Sequence, residues 1–564
     1  MKIEAQSPVF EKLFLALIGV ATILCTPYIV FDPINLPRLV VITIGGFVLS
    51  LMFWTREFLQ KLKREKAFTL LLLLFLIDIT IVLIFSGSNL WRSLYGTAGR
   101  NTGFLFYLMA LIFLISSTQV SSEFFIKKLE RLSIYLAGAT SIYGILQHFS
   151  LDPINWQNKY GPEIGFFGNV DFQSAFLGII SLLILHSIVK ENKISWNSLS
   201  RFLVLISSLI AIDLSGASQG FYIFALGAIF IFYLWLYCRY KKIFYFFTSI
   251  VLSTFLFIIF EIFSKFRFLK FEMLDSNFEV RNLFWQSGYK MTMQNPFLGV
   301  GFDGYIDWYR RSRPVSALTD QFVGVFADSA HNIFLDISAS GGLPLISLYL
   351  GFQLLAFKSV FIVLKRKAQF ENGFIGVAGA WFGYQGFSLV SISQIGIAIW
   401  GWIFTGLLIG YEINTRIVPN LKRSKVENRK IDTAISSNRS LYRANSFHVV
   451  VAIIFGMAIS VPPYLASANF LKALKQSDVT KLIRAAEAWP DDAQRLGGTI
   501  SLLSRNRYEK DAALLAARSV KKFPDSSFLW QSYSEVPGIT EKEIALIKLQ
   551  LIRLDPNNQR LLIK

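Results

Sequence analysis

Long apolar runs separated by short polar segments follow one another along the chain until about residue 466. Many of them approach the ~20 residues that an α-helix needs to cross the hydrocarbon core of a bilayer. The pattern therefore predicts an all-α, polytopic membrane protein with 12 or 13 transmembrane helices, the run at 201–214 being short. The thirteen predicted spans are 10–30, 38–54, 67–85, 103–119, 131–149, 171–189, 201–214, 220–237, 243–263, 343–364, 374–392, 394–413 and 447–466.

The composition excludes an ordinary soluble domain. Hydrophobic residues make up 53% of the 564 positions, and 54 of those residues are Phe. Only 16% of the residues are charged, against about a quarter in soluble domains. The first apolar run has no small-residue cleavage site after it, so it is predicted to be a span rather than a cleaved signal.

The net charge of +19 is explained by the loops that carry it. With a cytoplasmic N-terminus, the loops predicted inside hold 25 Lys and Arg, and four short outer loops (31–37, 86–102, 150–170 and 215–219) hold three. Cytoplasmic loops of membrane proteins show this excess. The basic charge therefore indicates topology, and no nucleic-acid partner is predicted.

The spans and the polar segments together predict six regions. In chain order these are N-terminal transmembrane helices (1–263), a large extracytoplasmic catalytic loop (264–342), C-terminal transmembrane helices of the core (343–413), a cytoplasmic basic linker (414–446), a last transmembrane helix (447–466) and an extracytoplasmic tail (467–564).

The tail has an internal period. Its sequences "WPDDAQ", "FPDSSF" and "LDPNNQ" place Pro490, Pro524 and Pro556 at spacings of 34 and 32 residues. Ala- and Leu-rich helical stretches lie between them. A period near 34 is typical of tetratricopeptide repeats, which bind partner proteins or act as spacers.

Polar residues that could do chemistry gather in the predicted outer loops, where spans meet water. Arg100 lies in "WRSLYGTAGRNTG" (91–103), and Asn169 lies in "GFFGNVDFQSAFLG" (165–178) just before a span. Ionisable groups are expensive inside lipid, so enzymes place them at such boundaries. An interfacial turn and a helix N-cap are the structural alternatives for these two residues.

The large loop carries a second set of candidates. Arg281 and Trp285 follow helical spacing with Gly288 and so share one face, and Asn295-Pro296 is predicted to end that helix. The following "GVGFDG" fits G-x-G-x-x-G, but the dinucleotide interpretation fails because no strand precedes it. Arg310 and Arg311 then occur in "IDWYRRSRP", a mixture of aromatics and cations that suits a phosphorylated sugar or a solvated turn.

His331 is one of only four histidines, and it lies in "DSAHNIFLDISASGG" (328–342). Asp328 or Ser329 is predicted to cap a helix that runs to Ser340 and is broken by Gly341-Gly342. His331 in the first turn would stay neutral and able to accept a proton, because a helix N-terminus disfavours the imidazolium. A structural histidine at the membrane surface is the alternative.

The order and spacing of "YGTAGRNTG", "FGNVDFQSAFLG", "ASQGFYIFAL", "RNLFWQSGYKMTMQNPFLGVGFDGY" and "DSAHNIFLDISASGGLPL" resemble the O-antigen ligase family over about residues 85–415. The family includes O-antigen polymerases and bacterial O-oligosaccharyltransferases. The resemblance implies a fold of the type-C glycosyltransferase superfamily. It also implies transfer of a glycan from undecaprenyl diphosphate, at the outer face of the inner membrane, to lipid A-core, a growing polysaccharide or a protein hydroxyl.

The resemblance assigns roles by motif match. Arg281 would bind the diphosphate and His331 would be the catalytic base, with Arg100 as a further diphosphate ligand. The expected substrate-binding residues are Gln219, Asn332, Asn169 and Trp285.

One position departs from the family pattern. Many relatives have Ser-Arg-Gly where this chain has Ser218-Gln219-Gly220. Gln219 can donate a hydrogen bond but cannot neutralise a phosphate, so Arg310 or Arg311 would have to compensate, or the donor or the activity differs.

No cofactor and no metal are expected, because the outer loops contain no cluster with metal-ligand spacing. Single displacement at the anomeric carbon would invert its configuration. Two other functions remain open: a transporter of small anions, for which Asp78 and Asp213 would be the intramembrane groups, and a repeat scaffold tethered by inactive spans.

Overall fold

The computed structural model describes residues 8–156, 163–191, 195–263, 276–319, 323–366, 369–416, 446–476 and 478–558. Across these ranges the regular structure is helical and contains no strand. The prediction of an all-α polytopic protein is therefore confirmed. The predicted linker at 414–446 lies, apart from its ends, outside the described residues.

In the part of the chain that the structure describes, eleven helices precede the large loop. They are α1 (Pro8–Ile23), α2 (Asn35–Met52), α3 (Arg56–Arg64), α4 (Lys66–Phe85), α5 (Leu90–Tyr95), α6 (Phe104–Val120), α7 (Glu123–His148), α8 (Val170–Val189), α9 (Trp196–Leu214), α10 (Gln219–Arg239) and α11 (Lys241–Phe263).

Eleven more follow. They are α12 (Ser276–Gln294), α13 (Tyr305–Ser312), α14 (Ile333–Arg366), α15 (Phe374–Val390), α16 (Ile395–Thr415), α17 (Ser446–Leu474), α18 (Val479–Ala486), α19 (Ala493–Arg505), α20 (Glu509–Lys522), α21 (Ser527–Ser534) and α22 (Glu541–Leu554).

Every predicted span falls on a helix. Within the described residues, α2, α4, α8, α9, α10, α14, α16 and α17 are long and apolar enough to cross a membrane, and α6 and α15 are shorter apolar helices. That α1, α7 and α11 also cross stays a prediction. The first span was predicted to reach residue 30, but α1 ends at Ile23 because Pro27 has no backbone N–H and the Leu24 carbonyl accepts from Arg38 Nε at 3.0 Å.

Small residues allow the membrane helices to pack closely. A Cβ on Gly220 of α10 would lie 2.3 Å from the Ser174 carbonyl oxygen of α8, and one on Gly406 of α16 would lie 2.4 Å from the Leu114 oxygen of α6. Helices in lipid gain little from hydrophobic burial against one another, so close backbone approach supplies much of their attraction.

The predicted cytoplasmic ends of the helices come together on one side of the bundle. Arg366 pairs with Glu412 at 2.6 Å, Arg416 with Glu65 at 3.1 Å, and Lys190 with Glu130 at 2.6 Å. The opposite side carries the segments 24–34, 86–103, 149–156, 163–169, 295–319 and 323–332, and we call it the loop face. Contacts join these segments: Asn35 donates to the Gly99 carbonyl and Arg38 to the Phe166 carbonyl.

The helix α14 is kinked where the two glycines predicted a break. Gly342 has a φ of +73°, which is a left-handed conformation that glycine tolerates best. The segment 295–301 fills the kink: the Leu343 N–H donates to the Pro296 oxygen at 2.7 Å, and the Val300 N–H donates to the Ala339 oxygen at 2.7 Å. The "GVGFDG" loop therefore closes a broken helix with its own backbone.

The C-terminal tail forms a stack of short helices. The helices α18 to α22 pack in sequence around a core that contains Leu496, Leu515 and Trp530. The three prolines fall in the turns after α18, α20 and α22, as the period predicted, while the tetratricopeptide assignment itself stays a prediction. The last apolar helix runs on to Leu474, past the predicted boundary at residue 466.

The C-terminal helices dock on the large loop through a buried ion pair. Arg313, which is 0% exposed, donates through Nε to Asp555 Oδ1 at 3.1 Å and through Nη2 to Oδ2, and its Nη1 donates to the Val323 carbonyl at 2.9 Å. Asn557 returns a hydrogen bond to the Arg313 carbonyl at 2.9 Å. The end of the described chain is thus fixed to the loop that precedes α14.

We expect Asp555→Ala to loosen this contact strongly, because it leaves the Arg313 guanidinium buried without its counter-charge, a change that costs about 3–5 kcal/mol. Hydrogen exchange in lipid nanodiscs should show α13 and α22 opening. Asp525→Ala is the matched control: its partner Arg311 is 2.6 Å away, but the Asp525 side chain is 48% exposed, so the loss should stay within about 1 kcal/mol. Equal effects from the two substitutions would contradict the assignment.

Candidate functional site

His331 lies on the loop face, just before α14. The helix begins at Ile333 and its cap is Asn332, whose Oδ1 accepts from the N–H groups of Phe334 at 3.0 Å and Leu335 at 3.2 Å. The prediction that Asp328 or Ser329 caps the helix was therefore wrong, and His331 precedes the first turn. Its φ of +51° turns the chain sharply at this point.

Asp336 fixes the turn that carries His331. Its carboxylate accepts from the Ala330 N–H at 2.7 Å and from the Ser329 hydroxyl at 3.0 Å, while the Ser329 Oγ accepts from the His331 N–H at 2.8 Å. These bonds satisfy the backbone immediately before the helix. They hold His331 in its left-handed conformation without using its side chain.

Arg100 connects this turn to the loop between α5 and α6. Its Nη1 donates to the Asp328 carbonyl at 2.7 Å and lies 3.7 Å from the Asp328 carboxylate, and its Nη2 lies 3.6 Å from Asp336. The guanidinium is buried, and the neighbouring carboxylates outweigh the effect of burial, so that the pKa of Arg100 is raised. The structure thus gives Arg100 a positioning role beside the predicted base.

Asp303 holds the loop of Arg100 in place. Its carboxylate accepts from the N–H groups of Thr97 at 2.9 Å and Thr102 at 3.2 Å and from the Thr102 hydroxyl at 2.7 Å. A Cβ on Gly96 would lie 2.5 Å from the same carboxylate, so the glycine is required there. The "YGTAGRNTG" and "GVGFDG" sequences therefore contact each other through Asp303.

The helix α12 presents the predicted face to this turn. The Phe284 ring stacks on the His331 ring with centroids 5.6 Å apart and planes 24° apart. A Cβ on Gly288 would lie 3.4 Å from the Ala330 Cβ, so the helix approaches closely. Arg281 and Trp285 flank Phe284 on the helix that packs against α14.

Arg281 is the cation that remains available. Its charge acts on His331 and on Asp171 at the start of α8, so it lies near both. Its guanidinium makes no hydrogen bond or ion pair with any residue that the structure describes. An arginine in this state can bind an anion with all its N–H donors.

The imidazole of His331 is suited to accept a proton. Burial lowers its pKa to about 4, the charges of Arg100 and Arg281 act in the same direction, and Asp328 opposes them. The ring is therefore neutral at pH 7. Neither ring nitrogen has a hydrogen-bond partner among the described residues, so a substrate hydroxyl can reach one.

The start of α8 lies beside these residues. Asn169 caps α8 by accepting from the Asp171 N–H at 2.8 Å, as one of the alternatives predicted. The Gly220 N–H donates to the Ser174 hydroxyl at 2.9 Å, which places Gln219 over the first turn of α8. The Gln219 Nε2 is buried with no described hydrogen-bond partner.

Arg310 and Arg311 face the C-terminal helices instead. Arg310 stacks on Phe326 at 3.7 Å and donates to Gln531 at 2.8 Å, and Arg311 pairs with Asp525. Burial, together with the charge of Arg313, lowers the pKa of Arg310 to about 10. The structure therefore brings Arg100 and Asn332 to the turn of His331 and places Arg281 and Trp285 on the helix that packs beside it, while Asn169 and Gln219 lie at the start of α8. It binds the guanidinium groups of Arg310 and Arg311 to the C-terminal helices.

Asp336, Asp303 and Phe284 were not among the predicted site residues. Asp336 follows His331 by five positions, which is a weak signal of a carboxylate that reaches back over a helix start. Asp303 was visible only as part of a glycine-rich motif. No sequence spacing relates Phe284 to His331, so this stacking contact could come only from the fold.

Comparison with known sequences gives a family for this segment. Residues 202–350 match the family model described as O-antigen ligase, which is about a quarter of the chain. No curated protein matches the chain. The matched segment contains Gln219, Arg281 and His331, includes all of α12, and ends inside α14. Over this segment, the chain is similar to the O-antigen ligase family.

Proposed function

We propose that this protein transfers a glycan from undecaprenyl diphosphate to an acceptor hydroxyl, with His331 as the catalytic base and Arg281 as the diphosphate ligand. The observation that carries the proposal is a neutral, unbonded imidazole that packs against α12, the helix that carries an uncommitted guanidinium. Both lie within the segment matched by the family.

The chemistry needs only these two groups. Polyprenyl diphosphate is a good leaving group, so the site has to stabilise the negative charge that grows on it as the glycosidic bond breaks. Arg281 can do this through charge-assisted hydrogen bonds. His331 takes the proton of the acceptor hydroxyl as that oxygen attacks the anomeric carbon, and such a base contributes about 10²–10⁴ in rate. One displacement inverts the anomeric configuration, and no metal is required.

Donor binding would itself strengthen the base. The positive charge of Arg281 is one cause of the low pKa of His331. A bound diphosphate offsets that charge, which raises the pKa of the imidazole towards its ordinary value and makes it a better proton acceptor. The base would therefore be most active when the donor is in place.

The distribution of charge supports an orientation. The basic loops would lie in the cytoplasm, so the loop face would face outwards from the bacterial inner membrane. The donor would arrive within the bilayer, and the acceptor would be a lipid, a polysaccharide or a protein. The C-terminal helices would then be extracytoplasmic and could bind a protein partner.

Anion transport is the second candidate, and it has less support. Of the two carboxylates that would serve it, Asp213 is exposed at the end of α9. Asp78 lies within α4 and has one buried oxygen with no described hydrogen-bond partner. One such carboxylate supports anion transport less strongly than the residues around His331 support glycan transfer.

We expect His331→Asn to lower single-turnover transfer by about 10²–10⁴. Asparagine tolerates the left-handed backbone of this position, so the turn should remain folded. The assay follows released undecaprenyl diphosphate and the new partner of the glycan, using purified protein in lipid. His148→Asn, which changes a histidine elsewhere on the loop face, is the control and should keep full activity. Normal transfer by the His331 variant would sink the base assignment.

Arg281→Ala should abolish transfer while the protein remains inserted and folded, because the leaving group loses its counter-charge. Lys290→Ala removes a cation from the same helix and should have little effect. Folding is checked by thermal unfolding of both variants. Unchanged glycan transfer by Arg281→Ala would refute the diphosphate role.

The pH profile should reflect the depressed pKa of His331. The neutral ring is the active form, so kcat/KM should fall only as pH drops through about 4, well below the ordinary value near 6.5. Asp328 raises the pKa of His331, so Asp328→Asn should move the acid limb to still lower pH. An acid limb at or above 6.5, or a shift upwards in the variant, would contradict this assignment.

A further inference from the structure

A cleft of about 860 Å³, part of it open to solvent, lies where the C-terminal helices meet the membrane helices. Its walls come from the segment before α2, the loop 96–101, α13, α17 and the starts of α19 and α21. None of its lining residues contacts the His331 ring. It shares one element with the catalytic site, because the loop that carries Arg100 also forms one of its walls.

Two buried polar atoms in the wall have no partner. Asn101 is 4% exposed and Arg495 is 7% exposed, and both line the cleft. The Asn101 Oδ1 and the Arg495 Nε make no hydrogen bond with any described residue. Buried polar atoms nearly always have a hydrogen-bond partner. An acceptor and a donor without partners in the same cleft therefore indicate a ligand that can both donate and accept hydrogen bonds.

The charge of the wall argues against a phosphate. Arg92 is paired with Asp307, and Arg495 already donates to the carbonyls of Ala488 at 2.8 Å and Pro490 at 2.6 Å. Asp491 and Asp492 commit one carboxylate oxygen each, to Lys522 and to the Arg495 N–H, both at 2.7 Å. Their second oxygens accept no hydrogen bond from any described residue, which suits a hydroxyl group and repels an anion.

Aromatic rings complete the lining. Trp91 packs edge-on against Trp489 at 5.1 Å, and Phe31 and Phe528 also line the cleft. Rings interspersed with a few carboxylate and amide oxygens are a usual way to bind a molecule with apolar faces and polar edges. A pyranose ring has this character, with C–H groups on its faces and hydroxyls at its rim.

We propose that this cleft binds an uncharged, hydroxyl-rich saccharide that belongs to one of the two glycan substrates. That the saccharide is part of a substrate rests on the proposed function. That the cleft binds a saccharide is argued from its lining residues alone. The C-terminal helices then have a defined task, because they supply Asp491, Asp492 and Arg495, while the loop of Arg100 supplies Asn101. Saccharide held here would be positioned by the same loop that braces the catalytic turn.

The first experiment measures binding without the donor. Saturation-transfer NMR on the full chain in nanodiscs would use lactose, maltose and N,N′-diacetylchitobiose, with pyrophosphate as the anionic competitor. Asn101→Gly removes the amide and keeps the left-handed backbone, and Ala98→Trp fills the cleft. Ser150→Gly is the matched control, since Ser150 has a φ of +59°, is exposed and does not line the cleft.

The expected result is saturable binding of at least one disaccharide that pyrophosphate does not displace. Asn101→Gly should weaken it about fivefold to tenfold, the worth of one or two hydrogen bonds, and Ala98→Trp should abolish it, while Ser150→Gly leaves it unchanged. Absence of disaccharide binding, binding that survives both cleft variants, or displacement by pyrophosphate would overturn the proposal.

A second measurement shows whether the saccharide belongs to the donor or to the acceptor. It also distinguishes failure of the saccharide site from failure of the proposed function. In the transfer assay, Asn101→Gly should raise the apparent KM for the substrate whose glycan occupies the cleft, donor or acceptor, and leave the other KM unchanged. A variant that lowers kcat alone would contradict the site. Disaccharide binding in a wild-type protein that transfers no glycan would overturn the proposed function and leave the saccharide site standing.

Discussion

A single buried guanidinium connects the parts of the loop face around His331. Arg100 is buried in a loop between two membrane helices, and a charge in that position must be compensated by partners or it destabilises the fold. Its partners are the carbonyl and carboxylate of Asp328 and the carboxylate of Asp336. Because these residues bracket His331, the compensation of one charge also determines where the histidine lies.

Further contacts hold the loop of Arg100 and the turn of His331 in place. The Asp303 carboxylate accepts hydrogen bonds from backbone N–H groups on both sides of Arg100. Asp303 also follows the segment whose N–H groups donate to carbonyls at the kink of α14. The glycines of this region are needed where side chains would collide with backbone, as at Gly96 and Gly342. Helix α12 closes the arrangement by stacking Phe284 on the histidine. These contacts support the left-handed backbone of His331, a kind of strain that persists only where the surrounding structure holds it.

The C-terminal helices belong to this arrangement more closely than a tethered scaffold would. Three arginines of one short helix and its end, Arg310, Arg311 and Arg313, contact Gln531, Asp525 and Asp555. The sequence alone suggests that this basic cluster binds phosphate. In the structure, most of its contacts instead hold the C-terminal helices against the large loop. The resemblance implies an arginine at position 219, where this chain has glutamine. The structure binds the guanidinium groups of Arg310 and Arg311 elsewhere, so Arg281 carries the neutralisation in the proposed mechanism.

The sequence by itself determined the class of fold, the positions of the helices and two of the residues in the proposed mechanism. These features depend on composition, on periodicity and on short motifs, which are local and can be read along the chain. The break at Gly341-Gly342, the end of α12 before Pro296 and the cap at Asn169 were predictable for the same reason. What the tertiary structure decided is which charges meet. The cap at Asn332 and the contacts of Asp336 are local. The bracing by Arg100, 228 residues before its partner Asp328, and the pairing of Arg313 with Asp555, 242 residues apart, depend on burial and on partners from distant segments, and neither contact can be inferred from neighbours in the chain.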